Sequence, residues 1–523
     1  MWRRAFIYIT VPLLLAGEWT SAQKVLYSPF IDEPFDIAGK AGDYYWIERR
    51  EKPKPVKRHV AAFPGDELEK QVFDVYDERM NLINSTAPFN LDNKILKEYY
   101  VCNDYFFDQV VLVGAGGKTH LMINRYNGDG TIGATGKILF SYPFEEAPNS
   151  FVLVRSEDRS KLLMLCFQVG GPEGSSIHAV LFDDNWHQLS NKIYKYPYFS
   201  QPFVQDDFVN YPADNFSNNP VKLGNTGQWL MASPSRSSNN FLLFDFPVRD
   251  SSFLVKEIRL PGLSRWQDVA LCLNDRDGEG YLGILSEFSF STLKNVEVVH
   301  YSLAGHLVDF DSSYRFNTLV AFNTRDANIT HENFIAVPGS GFMLLKEYGM
   351  PFLDPYSEEG YLDLIDLVSI FSMDSIMNIA KPQRVNRNGY TRYDKLGGSR
   401  RNYDRGDLCL FYFPAHKTDS SWSAIIDQEQ VTDLNSPNLS YLVVPLNQRI
   451  FLFYNSFFRD ADQQQFGNST IIDDKGNLVS DQGIVYWRYR DELLFQKSRQ
   501  IGENEVAMHY ANFKRTGFAI IRF

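Results

Sequence analysis

Seven side chains in one stretch have the types and spacing that recognise an acidic partner: Arg387, Tyr390, Arg392, Tyr393, Arg400, Arg401 and Tyr403. Guanidinium groups pair carboxylates and phosphates through a fixed fork, and tyrosines between them add flat contact area and hydroxyl groups. They belong to residues 351–407, which divide by charge. Residues 351–380 hold six acids and no Lys or Arg, whereas 381–407 hold eight bases against three acids. The segment reads either as a docking site, for an acidic partner or for the protein's own acidic surface, or as a solvated flexible loop.

No other group completes a catalytic or metal motif, so no catalytic residue, metal ligand or cofactor is assigned. Val111-Leu112-Val113-Gly114-Ala115-Gly116-Gly117-Lys118-Thr119 approaches a phosphate loop, but Leu112 stands where that loop needs Gly and the chain continues as strand, so it reads as a hairpin turn. Asn127-Gly128-Asp129-Gly130 and Asn274-Asp275-Arg276-Asp277-Gly278 lack the first acid and the distal bidentate acid of a calcium loop, and read as tight turns. Pro338-Gly339-Ser340-Gly341 lacks the pattern of a nucleophile elbow. Ser156-Glu157-Asp158-Arg159-Ser160 resembles the opening of a sialidase Asp-box, but Ser160 replaces its Gly and the closing aromatic is missing. The nine His are scattered, with His331-Glu332 the one adjacent His/acid pair. A glycosidase on this chain needs two carboxylates about 5 to 10 Å apart, and the sequence singles out no such pair.

The elements that position these residues read as sheet. A unit recurs: a β-run ending in an aromatic or Ile, a polar turn, and a Leu six or seven residues on. It ends at Tyr76, Phe182, Tyr301 and Ile472, which lie 106, 119 and 171 residues apart. Divided by two, two and three, these gaps fit one period of roughly 50 to 60 residues. Leu121-Met122-Ile123-Asn124-Arg125-Tyr126 and Phe241-Leu242-Leu243-Phe244-Asp245-Phe246 fill intermediate slots. Repeats of this length hold four short strands each, which predicts an all-β chain: a single β-propeller of seven or eight blades over residues 23–523, interrupted at 351–407 by one insertion of short helices and a basic Tyr/Arg/Gly loop. The strand in Gly517-Phe518-Ala519-Ile520-Ile521-Arg522-Phe523 is expected to complete the first blade and close the ring. A membrane β-barrel is the alternative, since the chain is rich in Tyr and Phe and ends on an aromatic. Against it, Leu162-Leu163-Met164-Leu165-Cys166-Phe167 and Phe241-Leu242-Leu243-Phe244 are apolar without alternation, as in strands covered on both faces.

Arg3 and Arg4, an apolar run and Thr20-Ser21-Ala22 have the three parts of an export signal, so residues 1–22 are expected to be removed, leaving no transmembrane helix. Cys102, Cys166, Cys272 and Cys409 are widely spread, three of them in apolar runs, and read as free core thiols. The 64 acids against 52 bases give a net charge of −12, which argues against binding to nucleic acid.

Asp419-Ser420-Ser421-Trp422-Ser423-Ala424-Ile425-Ile426-Asp427, Leu434-Asn435-Ser436-Pro437-Asn438-Leu439-Ser440-Tyr441-Leu442-Val443-Val444-Pro445 and the C-terminal strand resemble uncharacterised exported proteins of Gram-negative Bacteroidota, mainly over residues 334–523. The resemblance implies an envelope location and supplies no catalytic residues. The sequence thus points to an exported, non-enzymatic binding or scaffold protein, periplasmic, associated with the outer membrane or at the cell surface. Its expected partner is an envelope protein or glycan, including a membrane-protein complex. A carbohydrate-active hydrolase or lyase working at the propeller channel is the alternative.

Overall fold

The structure, a computed structural model, describes residues 24–51, 70–88, 94–142, 150–171, 174–196, 220–234, 240–248, 252–259, 264–274, 278–288, 293–303, 306–317, 328–337, 341–350, 383–385, 403–415, 421–426, 430–432, 441–446, 449–457, 465–473, 476–480, 492–502, 504–512 and 515–523. After β1 (Lys24–Tyr27) the chain lays down successive antiparallel sheets. Blade 1 is β2 (Phe35–Ala41), β3 (Tyr44–Glu51), β4 (Lys70–Tyr76) and β5 (Leu82–Thr86). Blade 2 is β6 (Lys94–Cys102), β7 (Phe106–Ala115), β8 (Lys118–Asn127) and β9 (Ile132–Tyr142). Blade 3 is β10 (Ser150–Arg155), β11 (Lys161–Gly171), β12 (Gly174–Asp183) and β13 (Gln188–Lys195). Blade 4 is β14 (Val221–Leu223), β15 (Trp229–Pro234), β16 (Phe241–Phe246) and β17 (Leu254–Ile258). Blade 5 is β18 (Ser264–Asn274), β19 (Glu279–Phe288), β20 (Leu293–Ser302) and β21 (Leu307–Asn317).

Blade 6 is the enlarged one: β22 (Asn328–Val337), β23 (Gly341–Met350), β24 (Gln383–Val385), β25 (Tyr403–Pro414), β26 (Trp422–Ile426) and β27 (Gln430–Thr432). Blade 7 is β28 (Tyr441–Leu446), β29 (Arg449–Phe457), β30 (Gln465–Asp473) and β31 (Leu478–Ser480). Blade 8 takes β32 (Glu492–Leu493), β33 (Arg499–Gly502), β34 (Glu505–Asn512) and β35 (Arg515–Arg522), and then β1 as its outermost strand. The eight sheets form a ring, a β-propeller. The first strands of neighbouring blades approach one another (β33 to β2, β2 to β6, β10 to β14, β14 to β18, β18 to β22) and so line the axis.

Both faces of a blade pack against neighbours, which is why its strands are apolar without alternation. All six residues of β16 are buried, as are Leu162 to Phe167 of β11. Each apolar cluster sits in a seam between blades. Trp46 and Phe73 of blade 1 meet Phe107 and Tyr126 of blade 2, with Trp46 stacked on Phe107 at 4.1 Å. Interdigitating large rings across a seam fixes the angle between blades and keeps water out. Separate sheets packed face to face rule out the single closed sheet of a membrane barrel. No helix among the described residues is long and apolar enough to cross a membrane.

The repeating unit of the sequence is the third strand of a blade, the turn after it, and the fourth strand. In four blades that turn has one construction, over residues 77–81, 127–131, 183–187 and 473–477. The first residue's N–H donates to the fifth residue's carbonyl, and the fourth residue's N–H donates back to the first. The fourth residue is left-handed in each: Met80 (φ 62°), Gly130 (85°), Trp186 (63°) and Gly476 (80°). Where the first residue is Asp, its carboxylate also accepts the fifth N–H, at 2.8 Å for Asp77 and 2.7 Å for Asp183 and Asp473. Asx turns of this kind end a strand cleanly and start the next one in register.

Two expectations need correction. The gap from Tyr301 to Ile472 spans two blades and not three, because blade 6 carries the additional chain between β23 and β25. Closure also runs the other way: the first strand completes the last blade, with Lys24 opposite Arg522, Leu26 opposite Ile520 and Tyr27 opposite Ala519. Of residues 351–407, those described are strands of blade 6: β24 pairs in parallel with β26, and Tyr403 to Arg405 pair with β27. The short helices expected within 361–380 lie outside the described residues. The four cysteines are free, three buried and Cys102 partly so.

Candidate functional site

The inner strands of blades 8, 1, 2 and 3 converge on a small recess with room for about 10 Å³, on the order of one water molecule. Its ten lining residues are Ala38, Gly39 and Lys40 of β2, Tyr100 and Cys102 of β6, Arg155 at the end of β10, Arg159 on the following turn, and Arg499, Gln500 and Ile501 of β33. Four carry positive charge and none is acidic. In a protein of net charge −12 this is a local inversion of sign on the ring's axis.

Local sequence explains each position. Gly39 has φ 148°, and a Cβ there would lie 2.6 Å from the Cys102 Sγ, so only glycine lets β2 and β6 come together at the floor. Arg155 closes the apolar run Phe151-Val152-Leu153-Val154, whose side chains are buried, and so emerges where the strand leaves the core. Arg159 is left-handed (φ 60°) in a turn tied by Ser156 and Asp158: the Ser156 hydroxyl donates to Asp158 at 2.7 Å, and Asp158 accepts the Ser160 N–H at 3.0 Å. The Asp-box-like segment therefore serves to hold an arginine at the rim.

The four cations differ in how they are neutralised. Lys40 lies 2.7 Å from Glu505, which also receives Arg522 Nε at 2.7 Å and the Tyr45 hydroxyl at 3.1 Å. Arg159 is 3.7 Å from Asp104, an exposed residue. Arg499 is buried. Arg155 has no acidic partner, and its Nε and Nη2 are enclosed without a hydrogen-bond acceptor. Burial first, and then repulsion from Arg159, pull its pKa down to about 10, so it stays charged at neutral pH.

The groups beside the cations that could move a proton are held protonated. The Tyr100 hydroxyl donates to Glu48 at 2.5 Å, and burial together with that negative charge raises its pKa well above the usual value. Burial lifts the Cys102 thiol to about 11. The arrangement can hold an anion. It offers neither the carboxylate pair of a glycosidase nor, among the described lining residues, a base poised near neutrality.

Of the residues singled out by sequence, Arg387, Tyr390, Arg392, Tyr393, Arg400 and Arg401 lie outside the described residues, and Tyr403 is the first residue of β25, its backbone paired with Thr432. The phosphate-loop-like segment is the β7–β8 hairpin, with Gly116 and Gly117 left-handed at φ 60° and 72°. No cluster of His, Cys, Asp and Glu fit to hold a metal occurs among the described residues.

No family profile and no curated protein matches the sequence. Among solved structures the chain is similar to the polysaccharide lyase Uly1 (11% identity, 95% of this chain and 98% of that one, TM-score 0.37). It is also similar to an oligogalacturonate lyase in complex with manganese (6% identity, 96% of each chain, TM-score 0.32). The third is the Nup133 β-propeller domain of Vanderwaltozyma polyspora (9% identity, 80% of this chain and 99% of that one, TM-score 0.34). At these identities and scores the likeness carries no argument about chemistry.

Proposed function

We propose that this chain is an exported, non-enzymatic binding propeller of the bacterial cell envelope, whose axial cluster of four cations attracts an anionic group of its partner. The observation that carries the reading is Arg155: an enclosed guanidinium with two unused donors, beside three further cations, with no acid lining the recess. A buried charge left without a partner is costly, and a ligand that supplies one gains that energy on binding. The protonated state of Tyr100 and Cys102 favours holding a ligand over abstracting a proton from it. The basic segment around Arg392 and Arg400 is a second contact for an acidic partner in this reading. Export and envelope location rest on the N-terminal signal pattern and on the resemblance of residues 334–523.

A carbohydrate-active lyase at the same recess is the second reading. The cation cluster favours it, because neutralising an acid next to the reacting carbon is the first requirement of elimination. The test incubates purified mature protein with acidic and neutral oligosaccharides, following ligand-induced thermal shift and the absorbance of newly formed double bonds in parallel. A shift with acidic ligands and no new absorbance supports the binding reading. Catalytic accumulation of unsaturated product overturns it in favour of the lyase.

A further inference from the structure

We infer that Tyr105 is a stacking platform for a neutral sugar ring, so that the partner bound on this face of the propeller is a glycan. This rests on the reading of the chain as a binding propeller and goes one step further, to the chemical class of its partner.

Tyr105 lies in the turn between β6 and β7 and at 74% is the most exposed large apolar side chain among the described residues. Its backbone, by contrast, is fixed on three sides. Asn103 Oδ1 accepts the N–H of Tyr105 at 2.8 Å and that of Phe106, and Asn103 Nδ2 donates to the Asp184 carbonyl of blade 3 at 3.3 Å. The β2–β3 turn of blade 1 comes against it at Gly42, where a Cβ would lie 3.2 Å from the Asp104 carbonyl oxygen. The β8–β9 turn comes against it at Gly128, where a Cβ would lie 3.4 Å from the Tyr105 carbonyl oxygen. Among the described residues the ring stacks on no other ring and its hydroxyl has no hydrogen-bond partner. An aromatic ring held out on a rigid turn offers flat contact area at little cost in ordering.

What surrounds the ring selects the ligand. The Asp104 side chain beside it is 75% exposed, with an ion pair to Arg159 as long as 3.7 Å, and Asp43 is exposed on the neighbouring turn. Carboxylates next to a flat ring suit a pyranose, whose C–H face lies on the electron-rich ring while its hydroxyls donate to the acids. A nucleobase has the same flat shape, but its phosphate is repelled by Asp43, Asp104 and the net charge of −12. A protein anchor seeks a desolvated pocket, whereas Tyr105 stands on an open surface. The acids place a neutral unit over Tyr105, while charged units of the same glycan are drawn to the axial cations, of which Arg159 is the one paired with this turn.

The test measures binding of cellohexaose, xylohexaose, maltohexaose, trigalacturonate and triglutamate to the mature protein by calorimetry, with Tyr105→Ala and Tyr105→Phe beside wild type. The expected result is binding of at least one neutral hexasaccharide, weakened about tenfold or more in Tyr105→Ala and unchanged in Tyr105→Phe, which keeps the ring. On wild-type protein the same saccharide is expected to shield Tyr105 from nitration by tetranitromethane, read by mass spectrometry, so the outcome does not depend on a variant folding. Wild-type affinity in Tyr105→Ala, or nitration of Tyr105 that the saccharide leaves unchanged, overturns the platform while the binding reading stands. Binding of trigalacturonate with no neutral hexasaccharide overturns the platform and leaves the anion reading in place. Binding of triglutamate alone overturns the glycan in favour of an acidic protein. Failure of all five ligands overturns the inference together with the reading on which it rests.

Discussion

The indole N–H of Trp186, in blade 3, donates to Oδ2 of Asp108, in blade 2, at 2.8 Å, and Asp108 is at the same time gripped by Arg125. The turn that repeats along the chain puts Trp186 in reach, because its fourth residue is left-handed and leans over the preceding blade. Removing the donor with Trp186→Phe keeps most of the ring and loses one hydrogen bond to a buried carboxylate. The expected loss is about 1.5 to 3 kcal/mol in urea unfolding. Asp108→Ala is expected to cost more, about 3 to 5 kcal/mol, because it removes the carboxylate that neutralises Arg125 as well as the acceptor of Trp186.

His509 packs against Phe35 with ring centroids 4.2 Å apart, and neither of its ring nitrogens has a partner. Burial lowers its pKa to about 3, whereas in the unfolded chain it titrates near 6.5. Below about pH 6.5 the unfolded state therefore binds a proton that the folded state refuses. The contribution of neutral His509 is complete above that pH and is lost as pH falls toward 3, by up to about 1.4 kcal/mol per unit. Comparing urea midpoints at pH 7 and pH 4.5 for wild type and His509→Leu checks this, since the variant is expected to show the shallower loss.

Gly39→Ala forces a Cβ into the Cys102 Sγ at 2.6 Å and into a left-handed backbone at φ 148°. A loss of about 2 kcal/mol or more is expected. Adding Cys102→Ala removes the sulfur and should restore the steric part while leaving the backbone part. A double-mutant cycle by thermal unfolding reads the coupling, and additive effects would contradict the geometry.

Deleting residues 23–27 removes β1 and exposes the edge of β35. Hydrogen exchange is expected to lose protection over 515–522 while strands of blades 3 to 5 keep theirs, since those sheets hold no strand from the chain's ends.

Much of this ring was legible in the sequence because its physics is local. The anchors Tyr76, Phe182 and Tyr301 mark third strands of blades 1, 3 and 5, and Asp77 and Asp183 after the first two build their turns. Counting failed where locality failed. The chain added between β23 and β25 stretches the step from Tyr301 to Ile472, and pattern alone cannot tell a long blade from an extra one. The recess was not legible. Lys40, Tyr100, Arg155 and Arg499 come from four blades, and only ring closure brings them together. One trace was present: Arg155 ends a run of four apolar residues, where a charge leaves a strand bound for the core.

The pairing of Lys24–Tyr27 with β35 joins two strands far apart in the sequence into a single sheet. Every other blade is built from one stretch of chain, but the eighth needs both β1 and β35. In kinetic terms the ring has a latch: loop closure over nearly the whole chain must precede the contacts that reward it. Until the latch engages, β35 offers an open edge of the kind that accepts a strand from a second molecule as readily as from its own. At high concentration, refolding is therefore a competition between a closed monomer and a strand-exchanged pair, decided by the four residues of β1.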